Sequence, residues 1–499
     1  MNQTITIESQ TDLESYFKPF REQIIGHDTI IKTPYGKKPL VYLDWTASGR
    51  LYEPIEQKIR THFGPYVANT HTETTTSGTL MTKAYKKAKE IIKHHVNAST
   101  EDVLILDGTG MTGVINKLQR ILGLRIPDKI KAYAHIPEEL KPVVFISHME
   151  HHSNHTSWLE TIAKVEIIPH DEDGLICIDS FEKLLIKYKD KSYKIASVTA
   201  CSNVTGIQTP YYEIANLIHK AGGYCFVDFA CSGPYVTIDM HPTHDEYAYL
   251  DAIFFSPHKF LGGPGTSGAL IFNKKLYNNN TPDNPGGGTV TWTNPWGDHK
   301  YIEEIEERED GGTPGFLQAI KAAYAVKLKE KMGTKAIGLR EKEIIKQLFT
   351  ELSPIKEIEI LAKQHQNRLG VFSFYIHGLH FNLAVKLLND KFGIQTRGGC
   401  SCAGTYGHFL LHIDQKTSAQ FLNQIEHKKT ISRPGWIRLS IHPTTSNNEI
   451  TYAIEAIKEL CKSHIEWSKD YEFNPETNNF THIHEADTPY PFDTILHFD

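Results

Sequence analysis

Lys259 stands in the run Asp251-Ala-Ile-Phe-Phe-Ser-Pro-His-Lys-Phe-Leu-Gly-Gly-Pro-Gly265, where an apolar strand gives way to a polar, glycine-rich turn. An amine just past a buried strand, flanked by Ser256 and His258, has the surroundings of a reactive lysine beside an anion. The sharpest chemistry it could do is a Schiff base to a carbonyl cofactor. The glycines that follow let the backbone approach a ligand closely. Further reactive candidates are the two thiols of Arg397-Gly-Gly-Cys-Ser-Cys-Ala-Gly404, Cys400 and Cys402. Two thiols on a glycine-rich loop beside an arginine have the open, electropositive setting that favours a thiolate nucleophile. The Cys400 and Cys402 pair is also compatible with metal binding or with inert thiols. Metal would need a second such pair, and Cys177, Cys201, Cys225 and Cys231 supply none. Arg438 interrupts an otherwise apolar strand, as expected of a cation that faces an anion or sits in a structural ion pair.

Other polar groups cluster at the ends of apolar runs. Val103-Leu-Ile-Leu-Asp107 leads through Gly108-Thr-Gly-Met-Thr-Gly113 into an apolar-periodic helix. A helix N-terminus of this kind offers free amides and a favourable dipole to an anion. The spacing matches a dinucleotide fingerprint literally, but that motif needs a second strand ending in an acid about 20 residues on. Leu124-Arg-Ile-Pro-Asp-Lys is a polar loop instead, so the reading is a single phosphate site using the Met111 and Thr112 amides and the Thr112 hydroxyl. In Glu150-His-His-Ser-Asn-His155, His151 and His155 have the spacing of a helical zinc pair. With no third ligand in sight, stacking of an imidazole on an aromatic cofactor, or a surface histidine cluster, fits equally well. Asn203 could hydrogen-bond a ring hydroxyl or make an Asx turn. Asp228 ends Tyr224-Cys-Phe-Val, and a carboxylate there is costly unless paired, for example by a protonated pyridine nitrogen.

The elements that must position these groups follow from periodicity. Strand-like runs at Val103, Val143, Val165, Ile195, Tyr224, Ala252 and Gly268 alternate with helical segments, which predicts an α/β sheet, mainly parallel and covered on both faces. In such a sheet ligands gather at the carboxyl ends of the strands. Residues 1–40 read as an amphipathic start and a polar loop at Thr33-Pro-Tyr-Gly-Lys-Lys-Pro39, with little chemistry, and residues 41–315 as the large domain. Asn69–Gly78 reads as a loop that could line a site. Two glycine-rich loops, Pro285–Gly288 and Glu309–Gly315, can approach another chain or a phosphate. A helix with apolar residues at 317, 320, 324 and 328 opens a smaller α+β domain over 316–467. The tail 468–499 is left without an assignment.

With 53 Lys+Arg against 59 Asp+Glu, the net charge of −6 recommends neither nucleic acid nor an anionic membrane as a partner. No apolar run reaches the ~18 residues of a membrane span. The start of the chain has no basic region followed by an apolar one. Seven cysteines in mostly strand-like runs do not resemble a secreted disulfide framework. A cytoplasmic protein acting on small molecules is the expectation.

Taken in order from about residue 41 to 460, these motifs resemble the class V aminotransferase family of pyridoxal-phosphate enzymes, and within it the cysteine desulfurase and selenocysteine lyase branch. The resemblance implies the type I fold of such enzymes, with a seven-stranded, mainly parallel sheet and a smaller α+β domain. It implies pyridoxal 5'-phosphate as cofactor, with Lys259 as its Schiff-base lysine. Ser256, His258 and the Gly110-Met111-Thr112 turn would reach the phosphate, His151 the ring face, Asn203 the ring hydroxyl and Asp228 the pyridine nitrogen. Thr313, in a Gly-Thr-Pro run, matches a threonine that reaches the neighbouring subunit's phosphate, which implies a homodimer. Arg438 matches the arginine that takes the substrate carboxylate. Arg397-x-Gly-x-x-Cys402-Ala resembles the segment with the catalytic cysteine, placing Cys402 rather than Cys400 in that role. Two departures stand out. Cys231 occupies the place of a common glutamine three residues after the aspartate, and the cysteine loop lacks the usual histidines.

The expected activity is removal of sulfur from L-cysteine, giving alanine and a persulfide on Cys402, with a sulfur-acceptor protein as a further partner and no metal. An aminotransferase or another lyase on the same cofactor is the nearest rival. A non-catalytic protein that keeps the fold and a dinucleotide oxidoreductase are more distant ones.

Overall fold

The computed structural model describes residues 12–427, 433–484 and 495–497. Its centre is a seven-stranded sheet formed by β1 (Asp102–Asp107), β2 (Val143–Ser147), β3 (Lys164–Ile168), β4 (Lys194–Thr199), β5 (Tyr224–Asp228), β6 (Ala252–Phe255) and β7 (Gly268–Asn273). The strands lie in the order β1-β7-β6-β5-β4-β2-β3. The pairs from β6 through to β3 are parallel, and β7 runs antiparallel to both β6 and β1. Except in the edge strand β3, the apolar runs are continuous because both faces are covered. In β6, Ile253 and Phe255 enter one core while Ala252 and Phe254 enter the core on the opposite face. Residues Ala269 to Phe272 of β7 divide in the same way.

A second sheet follows, built antiparallel from β8 (Ile358–Ile360), β9 (Val371–Ile376), β10 (Arg397–Gly399) and β11 (Trp436–Ser440) in the order β8-β9-β11-β10. Helices Thr334–Leu352, Phe381–Phe392 and Asn447–Trp467 pack on it around Phe372, Leu387 and Leu460. The last of these helices is started by a capping box between Ser446 and Glu449. Val41–Tyr42 pairs in parallel with Ile394–Gln395, so Val41 and Leu43 are buried in this second core.

Helix Phe316–Met332 is buried around most of its circumference rather than along the single face of 317, 320, 324 and 328. Its first half, from Ala319 to Val326, packs in the core of the seven-stranded sheet, and Leu328 and Met332 pack against the N-terminal helix Leu13–Arg21. That N-terminal helix places Phe17 and Phe20 in one cluster with Leu261, two residues beyond Lys259, so the opening segment braces the lysine turn.

Three stretches form hairpins that periodicity does not reveal. Thr33–Pro39, expected as a polar loop, is the turn and second strand of a ladder from Ile30↔Pro39 to Thr33↔Gly36. It is largely exposed, so it has no buried face to produce an alternating pattern. Val290–Thr293 and His299–Tyr301 make a second hairpin with Trp292 and Trp296 exposed. Within the tail, β12 (Tyr471–Asn474) pairs with β13 (Asn479–His482). This third hairpin packs on the small domain through Tyr471, whose hydroxyl donates to Asp390 at 2.9 Å.

Candidate active site

The carboxyl ends of five strands converge on one cavity of about 500 Å³. Strand β6 ends in the tight turn Pro257–Lys259, and Lys259 lines the cavity. The turn depends on glycine at 263, where a Cβ would come within 1.9 Å of the Pro257 carbonyl oxygen. Burial lowers the Lys259 amine from its ordinary range, Cys231 and Asp228 oppose that shift, and Arg438 and Arg397 reinforce it. The amine is therefore shifted toward its free-base form.

Strand β5 delivers Asp228, which is 2 % exposed. Burial pushes its carboxyl up to about 6, against the opposing pull of the Ala230 amide, which donates to Oδ1 at 2.7 Å, and of Lys259. An acid buried with one amide and a nearby amine is an incompletely satisfied acceptor, as a site for a protonated ring nitrogen requires.

Strand β1 ends at the turn before helix Gly110–Ile121. Gly110 has φ +63°, and the Ser256 hydroxyl accepts from the Met111 amide at 2.8 Å, tying this turn to the lysine turn. The Thr112 hydroxyl lies 2.6 Å from that of Ser153. His258 also lines the cavity, its imidazole lowered to about 4 by burial and by Lys259.

Strand β2 leads to His151, which caps helix His152–Leu159 rather than lying on it; its Nδ1 accepts from the Ser153 amide at 3.1 Å. Burial, with Lys259 next, lowers the His151 imidazole to about 3, so the ring faces the cavity neutral. The preceding Glu150 fixes this corner by accepting from Asn154 Nδ2 at 2.6 Å and from the Thr199 amide of β4 at 2.9 Å. His155 contacts the Thr405 hydroxyl at 3.1 Å and, unlike His151, is not among the residues lining the cavity. No group of three metal-ligating side chains occurs among the described residues.

Beyond β4, Asn203 donates from Nδ2 to the Ser401 carbonyl at 2.7 Å, while its Oδ1 is buried without a partner. Cys201 and Cys231 line the same wall, and both thiols donate to the Ser202 carbonyl. The neighbouring Cys201 lowers the Cys231 thiol most, burial opposes it, and Lys259 and Arg438 add to the lowering.

The second sheet and the loops around it close the opposite side. Cys402 is exposed, Cys400 is half-buried, and both line the cavity. Ser401 and Cys402 have φ of +52° and +56°, a left-handed pair of non-glycine residues held from outside the loop. The His152 amide donates to the Cys402 carbonyl at 2.7 Å, and His152 Nε2 accepts from the Gly404 amide at 2.9 Å. Arg397 and Arg438 are adjacent on β10 and β11. Thr313 is exposed and is not among the residues lining this cavity, and its loop is tied to the earlier glycine loop by a Gly312 amide that donates to the Gly287 carbonyl at 2.8 Å. The Asn69–Gly78 loop contributes Thr70 to Glu73 to a separate depression beside Lys89 and Asp310.

Sequence reasoning misses four contributors. Asp44 bridges both arginines. Thr46 lies on the cavity wall, and Asn382 and Asn478 lie on the side formed by the small domain. Only the position of Asp44 at the end of a short apolar run hinted at a role.

A sheet of this topology, with a lysine turn, a strand-end aspartate and a glycine-led helix start around one cavity, defines the type I fold of pyridoxal-phosphate enzymes. The class-V aminotransferase family model matches residues 41–452, and the chain belongs to that family. It is 30% identical over 370 residues to a probable cysteine desulfurase of Halalkalibacterium halodurans, covering 73% of this chain and 84% of that protein. A probable cysteine desulfurase of Staphylococcus epidermidis is 29% identical over 387 residues, covering 76% and 87%. Among solved structures, the apo cysteine desulfurase of Thermococcus onnurineus superposes with a TM-score of 0.69 at 21% identity, covering 89% of this chain and 98% of that one. The Escherichia coli cysteine desulfurase CsdA gives 0.66 at 20% identity with the same coverage. The expected fold class and family are borne out.

Proposed function

We propose that this enzyme binds pyridoxal 5'-phosphate and removes sulfur from L-cysteine, leaving alanine and a persulfide on Cys402. The observation that carries the reading is the clamped Cys402 loop opening on the same cavity as Lys259 and Asp228. The residues present fit the cofactor: a buried acid lacks a full set of donors, a neutral imidazole faces the cavity, and Asn203 has an orphaned oxygen. Lys259 would hold the cofactor's aldehyde carbon, Asp228 its ring nitrogen, His151 its face and Asn203 its ring hydroxyl. Thr112, Ser256, His258 and the amide of Met111 would hold its phosphate. When bound, the cofactor supplies the electron sink that lets bonds at the α and β carbons break.

Arg438, 3 % exposed with its Nε–H buried and unpartnered, would take the substrate carboxylate together with Arg397. The Lys259 amine, shifted toward the free base, would accept the α-proton. Cys402 thiolate would then attack the substrate sulfur. A sulfur–sulfur bond forms as the carbon–sulfur bond breaks, and the carbon fragment, once protonated, leaves as alanine. The persulfide would pass to an acceptor thiol.

The reading extends to a homodimer, in which exposed Thr313 serves the partner's cofactor phosphate, and to a cytoplasmic setting. All seven cysteines are free, in keeping with a reducing compartment. No helix among the described residues is long and apolar enough to cross a membrane. The proposed division is a large domain over 41–315, a small domain over 316–467, and flanking segments at 1–40 and 468–499.

The test is to incubate protein, cofactor, L-cysteine and a reductant and to quantify alanine and sulfide together. Equal formation of both, lost in Cys402→Ala, is expected. A yellow holoenzyme that makes neither product would overturn the sulfur chemistry and direct attention to transamination with a keto-acid acceptor.

A further inference from the structure

Asp44 is 8 % exposed and is joined to β11 by a bridge to Ser440. Its side chain lies between two cations. Oδ1 accepts from Arg438 Nη2 at 2.8 Å; Oδ2 accepts from Arg397 Nη2 at 2.9 Å and from its Nε at 3.0 Å. Arg438 Nη1 donates to the Asn203 carbonyl at 3.2 Å, and Nε is left without a partner. Arg397 and Arg438 both line the cavity, where Lys259 and Cys231 also face Arg438 from the cofactor side.

Arg397, Arg438 and Asp44, joined directly to one another, together carry one positive charge; Arg433 also lines the cavity, but it is exposed and its charge is screened by solvent. One incoming carboxylate completes the balance. A second would lie unpaired near the buried Asp44 carboxylate and Arg438, where charges interact more strongly than in water. Without Asp44 the two arginines would carry two positive charges, a match for a dianion.

We propose that Asp44 is a specificity-determining residue that sets the charge of the carboxylate pocket, so that it selects amino-acid substrates bearing a single carboxylate. The inference rests on the reading of Arg397 and Arg438 as carboxylate-binding groups. A purely structural Asp44 would hold the guanidinium planes without affecting which charge they prefer, and this separates the two roles.

The experiment is calorimetric titration of the holoenzyme with mercaptoacetate, which has one carboxylate, and mercaptosuccinate, which has two. Neither has an amine, so neither can replace Lys259 in a Schiff base. Asp44→Asn should shift the ratio of the two affinities by about tenfold or more toward mercaptosuccinate. Asp44→Glu, which keeps the charge, should hold the ratio within about twofold of the parent protein. Arg397→Gln, at a half-exposed side chain that can be replaced without opening the core, should shift the ratio about tenfold the other way. An unchanged ratio in Asp44→Asn, whatever the loss of absolute affinity, overturns the proposal; if that variant does not fold, an unchanged ratio in Arg397→Gln does so. Failure of the parent protein to bind either ligand would overturn the carboxylate reading, and the inference with it. A shifted ratio in an enzyme that releases no sulfide would support the charge-setting role and remove only the sulfur chemistry.

Discussion

His152 grips the loop at Cys402 in two places: its amide donates to the Cys402 carbonyl, and its imidazole accepts from the amide of Gly404 just beyond. The residue next to the proposed ring-stacking His151 thus holds the candidate nucleophile, so on the proposed reading one short segment would serve both cofactor and sulfur. The left-handed backbone at Ser401 and Cys402 costs on the order of 1–2 kcal/mol per residue, and two hydrogen bonds worth about 1 kcal/mol each offset much of it. His152→Ala should therefore loosen the loop, lowering kcat for alanine formation about tenfold while leaving cofactor binding intact. His152→Gln should recover part of the loss through its side-chain oxygen. Steady-state kinetics and limited proteolysis within residues 397–404 would check this, and unaltered kcat in the alanine variant would dismiss the clamp.

Cys402 and Cys400 make separable predictions. Cys402→Ser should keep the yellow holoenzyme but form no sulfide, whereas Cys400→Ser should retain most activity. Mass-spectrometric mapping of the persulfide after a single turnover would locate the sulfur on Cys402; sulfur on Cys400 would reverse the assignment.

Asp228 is expected to cost stability in the cofactor-free protein. Its folded pKa, about 6, lies above the ordinary 3.8, so its favourable contribution is present below about pH 4 and lost as pH rises through 6. Asp228→Asn retains an oxygen for the Ala230 amide and removes the ionisable group. Cofactor-free Asp228→Asn should be more stable than the parent protein at pH 8 by roughly 1–3 kcal/mol. The advantage should fade toward pH 4, and the variant should bind cofactor poorly. Denaturant titrations at the two pH values would decide, and equal stability at pH 8 would count against a costly buried carboxylate.

Gly263→Ala should disturb the lysine turn, because the added methyl group meets the Pro257 carbonyl oxygen. A loss of about 1–3 kcal/mol in chemical denaturation is expected, together with weakened cofactor absorbance. Parent-like values of both would show that the turn can relax.

Much of the fold was legible because every strand of the large sheet except the edge strand β3 is an apolar run with both faces covered, and Lys259, Asp228 and Asn203 each lie at or just beyond the end of such a run. The exposed hairpins offered no apolar stripe to read. Asp44 was hidden for a different reason. Its partners Arg397 and Arg438 lie 353 and 394 residues away, and no local spacing encodes a meeting made by the packing of two sheets. His151 and His155 show the converse: a spacing that suggests a shared helical face is broken because His151 is the cap of the helix and not part of it.

The tail hairpin reaches the cavity at Asn478, whose carbonyl accepts from Asn382 Nδ2 at 2.6 Å, while Thr46 belongs to the same cavity wall. The binding space is therefore closed by residues separated by most of the polypeptide. Contacts of such long sequence range require the loop between them to be ordered first, which makes them slow to form. In refolding, the seven-stranded sheet can regain its core before the catalytic cavity has all its walls. Recovery of activity should then be a later event than recovery of helical signal, and the apoenzyme should pass through a compact, inert form that cannot yet retain its cofactor.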